Sequence, residues 1–69
     1  MREEIRAKIE EHHKEEMADH EAYLAMAIEL EKDGQSHLAG VLRDIAHDEH
    51  THAVALSHVL EKGALHDSM

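Results

Sequence analysis

Apolar residues recur at steps of three and four through two long stretches of this chain, a spacing typical of amphipathic helices. The first stretch covers about residues 2–32 and the second about residues 36–62. Asp33 and Gly34 interrupt the pattern, in a predicted turn over residues 33–36. Because so short a connection folds one helix back on the other, the sequence predicts an all-α fold, an antiparallel two-helix hairpin.

Single residues predict where the helices end. Gly34 suits the left-handed conformation that commonly follows the last turn of a helix. Ser36 is the predicted N-cap of the second helix, because its hydroxyl is suited to accept a bond from a free backbone N–H group. Gly63 is the predicted stop of that helix, and residues 63–69 are expected to form a frayed tail. The whole chain, residues 1–69, is expected to be one small domain.

Each predicted helix carries a seam that is apolar at its ends and polar in its middle. The first seam is Ile5, Ile9, His12, Glu16, His20, Tyr23, Ala27 and Leu30. The second seam is Leu38, Leu42, Ile45, Glu49, His52, Leu56 and Val59. An ordinary core does not have this pattern, because a buried charge needs a partner or a metal ion.

Three of the polar seam residues lie at similar heights along the hairpin. Glu16 lies 18 residues before Gly34, and His52 lies 18 residues after it. At about 1.5 Å per residue, both are roughly 27 Å from the turn, and Glu49 is one turn nearer. The three side chains are therefore expected to meet. A two-fold dimer would bury the seams, form a four-helix bundle and bring two copies of each residue together.

Composition narrows the classes of function. The chain has 69 residues, no Cys, nine His, one aromatic residue and a formal net charge of −9. Disulfides and Cys-based metal sites are excluded, and so small a domain usually needs a metal or oligomerisation for stability. The acidic charge argues against nucleic-acid binding. Without a visible signal peptide or membrane span, a cytoplasmic location is expected.

The motif of Glu16 followed by Glu49-x-x-His52 resembles the ferritin-like superfamily, most closely its rubrerythrin type. Tyr23 and Gly34 also fall where those proteins place a tyrosine and a turn glycine. Two departures matter. The chain holds one hairpin, so a complete site is expected to form between chains, as in encapsulated-ferritin-like proteins. It also lacks the Cys cluster that passes electrons to the metals in rubrerythrins, which leaves a bare ferroxidase centre as the compatible activity.

The resemblance implies a ligand set and a metal. Glu49 from both chains would bridge two ions, Glu16 would cap each ion, and His52 would supply one nitrogen to each. Mixed carboxylate and imidazole ligands suit iron(II) or manganese(II). The expected content is two iron ions per dimer, with manganese as the alternative metal.

Four further residues lie near this ligand set in the sequence. Asp19 and His20, one turn after Glu16, are candidate extra ligands, partners of the ligands, or a site for another metal ion. Tyr23 is expected either to pack in the core or to donate a hydrogen bond to a ligand carboxylate. Asp48 is expected either to accept a bond from a ligand His across the bundle or to be a solvated acid.

The leading functional prediction is ferroxidase-type oxidation of iron(II) by O₂ or H₂O₂, in iron handling or protection from oxidative stress. The alternatives are rubrerythrin-like peroxide reduction with an external electron donor, a non-catalytic His-rich metal-binding module, and a metal-free helical oligomer. The expected partner is a second copy of the chain, in a homodimer or a larger homo-oligomer. Enclosure of the protein in a compartment is compatible with the resemblance.

Overall fold

The structure is a rod made of two helices. It is a computed structural model that describes the backbone of residues 1–67 and the side chains of residues 1–63. Helix α1 spans Glu3–Lys32 and helix α2 spans Ser36–Asp67, and they pack side by side as the predicted hairpin. The rod measures 54 × 15 × 10 Å, and its radius of gyration is 15.7 Å, against roughly 11 Å for a compact domain of this length. Over the described backbone, neither helix contains a segment apolar and long enough to cross a membrane.

The turn is held by a helix-ending motif centred on Gly34. Its φ angle is +77°, in the left-handed region, as the sequence predicted. The Gln35 N–H donates to the Leu30 carbonyl at 2.8 Å, and the Gly34 N–H donates to the Glu31 carbonyl at 3.0 Å. These are the two bonds of a Schellman motif, which satisfies carbonyls at the end of α1. The motif sets the direction in which α2 returns.

Replacing Gly34 with Ala is expected to destabilise the protein by about 1 kcal/mol, because a Cβ strains the left-handed conformation. The midpoint of thermal unfolding should fall by about 4–8 °C. Gly40→Ala is the matched control, since Gly40 lies within α2 and a Cβ there has open space. That variant should instead be stabilised by up to about 1 kcal/mol. Equal thermal shifts in the two variants would contradict the role assigned to Gly34.

The predicted N-cap role of Ser36 is wrong. Ser36 is the first helical residue of α2, and the Ala39 N–H donates to the Gln35 carbonyl at 2.9 Å. The Ser36 hydroxyl donates instead to the Glu31 carboxylate at 3.2 Å. Arg43 binds the same carboxylate at 2.8 Å. The Glu31 carboxylate thus joins the two helices beside the turn.

The predicted end of the second helix at residue 62 is also wrong. Helix α2 passes through Gly63 and continues to Asp67, and Gly63 does not have a positive φ angle. A Cβ at position 63 would meet the terminal methyl group of the flexible Met1 side chain. Gly63 therefore lies against the residue that precedes α1, within the helix and not at its end. Residues 68 and 69 of the predicted tail lie outside the described residues.

Alanines form the contact line between the two helices. Ala27, Ala39 and Ala46 are fully buried, and Ala53 is 1% exposed. The three in α2 are seven residues apart, two helical turns, so they lie almost in line along one face. Small side chains allow the helix axes to approach closely. The hairpin therefore packs on alanines and not on the larger residues of the predicted seams.

Large apolar side chains remain uncovered in a single hairpin. Among residues 1–63, no residue larger than alanine is fully buried. The seam residues Ile5, Leu38 and Val59 are 39%, 49% and 42% exposed. Leu42, Ile45 and Leu56 are half-buried. One hairpin thus buries little apolar surface, which is the main favourable term in folding.

Candidate metal centre

Three potential metal ligands converge near the middle of the hairpin. Glu16 comes from α1, and Glu49 and His52 come from neighbouring turns of α2. One donor atom from each lies within 4.8 Å of the others. His52 donates from Nδ1 to Oε2 of Glu16 at 3.2 Å. The convergence predicted from the equal heights of the three residues is confirmed, and we call this group the acid cluster.

The acid cluster fits the geometry of a divalent cation. Ligand oxygen and nitrogen atoms lie about 2.0–2.2 Å from such an ion, so two neighbouring ligand atoms are about 3 Å apart and two opposite ones about 4.2 Å. The 3.2 Å between His52 Nδ1 and Glu16 Oε2 matches neighbouring ligands. The three donor atoms all lie within 4.8 Å of one another, slightly more than the distance between opposite ligands. Oxygen and imidazole donors together suit iron(II) and manganese(II).

Electrostatic interactions in the acid cluster oppose full ionisation. The pKa of Glu16 is lowered, chiefly because its carboxylate accepts a hydrogen bond from Glu49, and also by the hydrogen bond and charge of His52. The pKa of Glu49 is raised, chiefly by its bond to Glu16, and further by partial burial and the charges of Glu16 and Asp19. Ionisation of Glu49 beside the Glu16 carboxylate is therefore disfavoured in the metal-free protein. A bound cation would offset the repulsion between the two carboxylates.

The acid cluster is open on one side. Glu16 is 23% exposed in its side chain, whereas His52 is 64% exposed. A surface groove of about 320 Å³ borders the cluster, lined by His12, Glu16, His52, Ala55 and Leu56. An ion has direct access from this groove. Within the part of the chain that the structure describes, His12 is the further potential ligand that lines this groove.

The two candidate extra ligands lie in different surroundings. Asp19 is exposed, and its charge contributes to the raised pKa of Glu49, yet it does not belong to the three-residue group. His20 is turned toward α2, where its Nδ1 donates to the Ala46 carbonyl at 2.8 Å. In this hairpin His20 is therefore held away from the acid cluster. Both assignments as ligands remain predictions.

The two residues predicted to support the ligands make no such contact within one hairpin. Tyr23 is half-buried, and its hydroxyl forms no hydrogen bond with any residue in the described part of the chain. Both alternatives for Tyr23 stay predictions. Asp48 is exposed. Its predicted role, accepting a bond from a ligand His across a bundle, needs a second hairpin and stays a prediction.

A histidine edge, made of His13, His20, His50 and Ser57, is a feature that the sequence analysis missed. The rings of His20 and His50 have centres 5.2 Å apart and are tilted by 41°. Further from the turn, Ser57 Oγ and His13 Nε2 are 2.9 Å apart. The pairs are seven residues apart on each helix. That repeat was visible in the sequence and could have indicated a second line of contacts.

The acid cluster and the histidine edge lie on either side of the line of contact between the two helices. Successive residues of a helix are rotated by about 100°. Measured from the buried Ala46, Glu49 lies about 60° to one side and His50 about 40° to the other. Measured from the buried Ala27, Glu16 lies about 20° to one side and His20 about 20° to the other. The hydrogen bond between Glu16 and His52 lies on one side of this line, and the contact between the His20 and His50 rings lies on the other.

Comparison with known proteins gives no relative: no family model, no curated protein and no solved structure matches this chain. The molecule is therefore classified from its own fold and from the side chains that meet in it. It is an all-α hairpin with two carboxylates and one imidazole converging from both helices. That arrangement is a candidate metal centre.

Proposed function

We propose that two copies of this chain form a four-helix bundle that binds two iron(II) ions between them and oxidises them with O₂ or H₂O₂. One observation carries the proposal. Glu16, Glu49 and His52 come from two helices, and their donor atoms lie within 4.8 Å of one another on a side of the hairpin rich in uncovered apolar residues. Iron handling and protection from oxidative stress are the settings this activity would serve.

The need for a second copy follows from the number of ligands. One hairpin offers three side-chain ligands, too few to hold two ions. Two copies offer four carboxylates and two imidazoles, the set used by carboxylate-bridged two-metal sites in helical bundles. Four carboxylates also balance the charge of two iron(II) ions. The bound ions would offset the repulsion between Glu16 and Glu49 that raises the pKa of Glu49.

The uncovered apolar residues support the same arrangement. Leu38, on the cluster side of α2, is 49% exposed, and the half-buried Leu42, Ile45 and Leu56 extend along that side. A second copy placed over the cluster would remove these side chains from water, at roughly 25 cal/mol per Å² of apolar area. It would also cover His52, which is 64% exposed in one hairpin. Because the cluster lies near mid-helix, a two-fold axis can pass beside it.

The proposed reaction balances with one oxidant. Two iron(II) ions, the substrate, each lose one electron, and O₂ accepts both electrons with two protons to give H₂O₂. With H₂O₂ as oxidant, the same two electrons and two protons give two molecules of water. The residues Glu16, Glu49 and His52 hold the two ions close together, so that both electrons reach one oxidant molecule. The net charge of −9 attracts the ions to the protein.

Anaerobic titration with iron(II), followed by mixing with O₂, tests this function. The expected result is two ions bound per dimer and rapid oxidation at that ratio. Glu21→Gln is the charge-matched control for Glu49→Gln, because Glu21 is exposed on α1 and outside the cluster. The control should keep stoichiometry and rate. Glu49→Gln should lose both.

The other outcomes separate the alternatives. Binding of iron without oxidation by either O₂ or H₂O₂ would support a non-catalytic metal-binding module instead. Turnover of H₂O₂ that continues only with an added electron donor would favour peroxide reduction. Retention of two ions per dimer by Glu49→Gln would contradict the proposed site. Competition by zinc or copper does not discriminate, because most nitrogen and oxygen sites prefer those metals to iron.

A further inference from the structure

We propose that His20 and His50 form a second metal site, across the line of contact between the two helices from the acid cluster, for a late first-row divalent ion such as zinc or nickel. This site uses no residue of the acid cluster. Its donors are neutral imidazoles, which suit zinc, nickel and copper, whereas carboxylate-rich sites suit iron and manganese. The inference does not depend on the proposed iron chemistry.

The separation of the two rings matches two ligands of one ion. With a metal–nitrogen bond of about 2.0–2.1 Å, an ion lies roughly 3.2 Å from the centre of each imidazole ring. Two rings on one tetrahedral ion then have centres about 5.2 Å apart. The centres of His20 and His50 are 5.2 Å apart and the planes are tilted by 41°, which fits two ligands of one ion and also a direct ring contact.

The hydrogen bond of His20 prepares its other nitrogen for a metal. A carbonyl oxygen only accepts, so the 2.8 Å contact with the Ala46 carbonyl requires the hydrogen to be on Nδ1 of His20. In the neutral ring, Nε2 then carries a free lone pair. Metal-binding histidines almost always donate their second ring N–H to a carbonyl, carboxylate or water in this way. The bond fixes both the tautomer and the orientation of the His20 ring.

The remaining coordination positions have suitable donors nearby. His50 is exposed, so its ring can rotate toward the ion. His47 lies one turn earlier on α2, in a His47-x-x-His50 spacing that places both residues on neighbouring parts of one helix face. His47 is also exposed, and its ring would have to rotate toward His20 and His50 to supply a third nitrogen. Water completes a four-coordinate site open to solvent.

Zinc titration of the full-length protein in the Glu49→Gln background tests the second site, because that substitution removes the acid cluster as a competing ligand set. One zinc ion per chain should bind. Adding His50→Gln should weaken binding about tenfold or more, and adding His20→Gln should do the same. His37→Gln is the control, because His37 is exposed near the turn and makes no contact with the histidine edge. Circular dichroism checks that each variant keeps its helices.

An affinity for zinc within about twofold of the background after both His20→Gln and His50→Gln would overturn the site. An equal loss of zinc affinity in His37→Gln would also overturn the site, because it would mean that zinc binds surface histidines without selectivity. Long-range ¹H–¹⁵N spectra of the imidazole rings give a second readout. They should show hydrogen on Nδ1 of His20 without metal, and a shift of its Nε2 resonance when zinc binds. Hydrogen on Nε2 in the metal-free protein would contradict the proposal.

Discussion

Glu49→Gln should abolish iron binding and, in the metal-free protein, raise the midpoint of thermal unfolding by a few degrees. Gln resembles Glu49 in its protonated form, because its amide can donate to the Glu16 carboxylate without carrying a charge. The substitution therefore removes the repulsion that raises the pKa of Glu49. Improved stability with lost binding is the expected result for a site assembled from like charges. Calorimetry with and without iron(II) measures both effects.

The gain in stability should depend on pH in a defined direction. Because the pKa of Glu49 is raised above its usual 4.5 in the folded protein, its contribution is favourable at low pH and is lost as the pH rises through the raised value. Wild type and Glu49→Gln should therefore unfold at similar temperatures near pH 4. Above that pH, the unfolding temperature of Glu49→Gln should become higher than that of wild type. The lowered pKa of Glu16 acts in the opposite direction, and both proteins share that residue.

Glu21→Gln controls for the loss of one negative charge at a distance from the cluster. It should change the unfolding temperature little at any pH and leave the response to iron intact. An unfolding temperature of Glu49→Gln that stays below that of wild type at pH 7 would contradict the electrostatic account. That result would mean that the interaction between Glu16 and Glu49 stabilises the metal-free protein.

Leu38→Glu should dissociate the protein into single hairpins and lower its helix content. In a dimer built over the acid cluster, Leu38 is covered in both copies. Leu38 is 49% exposed, so covering it contributes about half of the roughly 1.5–3 kcal/mol of a whole leucine side chain in each copy. Burying two Glu charges in its place adds a desolvation cost, and together these weaken the dimer by about 3 kcal/mol or more. The dissociation constant should rise about a hundredfold or more. Sedimentation over a range of protein concentrations measures this change.

Val54→Glu is a closely matched control for Leu38→Glu. Val54 is 55% exposed and Leu38 is 49% exposed, so a single hairpin should tolerate a charge at both positions equally. Val54 follows the buried Ala53, whereas Leu38 precedes the buried Ala39, which places the two on opposite sides of α2. Only Leu38→Glu should weaken the assembly. Equal effects, or a wild-type protein that stays monomeric, would contradict a dimer over the acid cluster.

The hairpin and the acid cluster could be predicted because they depend on local chemistry and simple geometry. Gly34 favours the left-handed turn, and the regular rise of a helix fixes the heights of Glu16 and His52 on either side of it. Their meeting needs no detailed knowledge of side-chain packing. The chemistry of bound metal stays a prediction, since it depends on a second copy and on ions.

The contact between the helices could not be predicted from apolar periodicity alone. The predicted seam of α2 was chosen to include large apolar residues such as Leu38 and Val59. The closest contact instead follows the alanines at positions 39, 46 and 53. Alanine is a strong helix former at any position, so its presence rarely identifies a packing face. Only the seven-residue repeat distinguished these three. Gly63 was misassigned for a similar reason, because its role depends on the distant Met1 side chain.

The electron paramagnetic resonance spectrum of the manganese-loaded protein tests the central claim most directly. If Glu16, Glu49 and His52 from two copies enclose a pair of ions, two manganese(II) ions per dimer should lie about 3.5–4 Å apart. Electron paramagnetic resonance should then show an exchange-coupled multiline signal, with hyperfine spacing about half that of an isolated ion. Glu49→Gln should lose this signal and Glu21→Gln should keep it. The six-line signal of isolated manganese(II) at full loading of the wild-type protein would contradict the account.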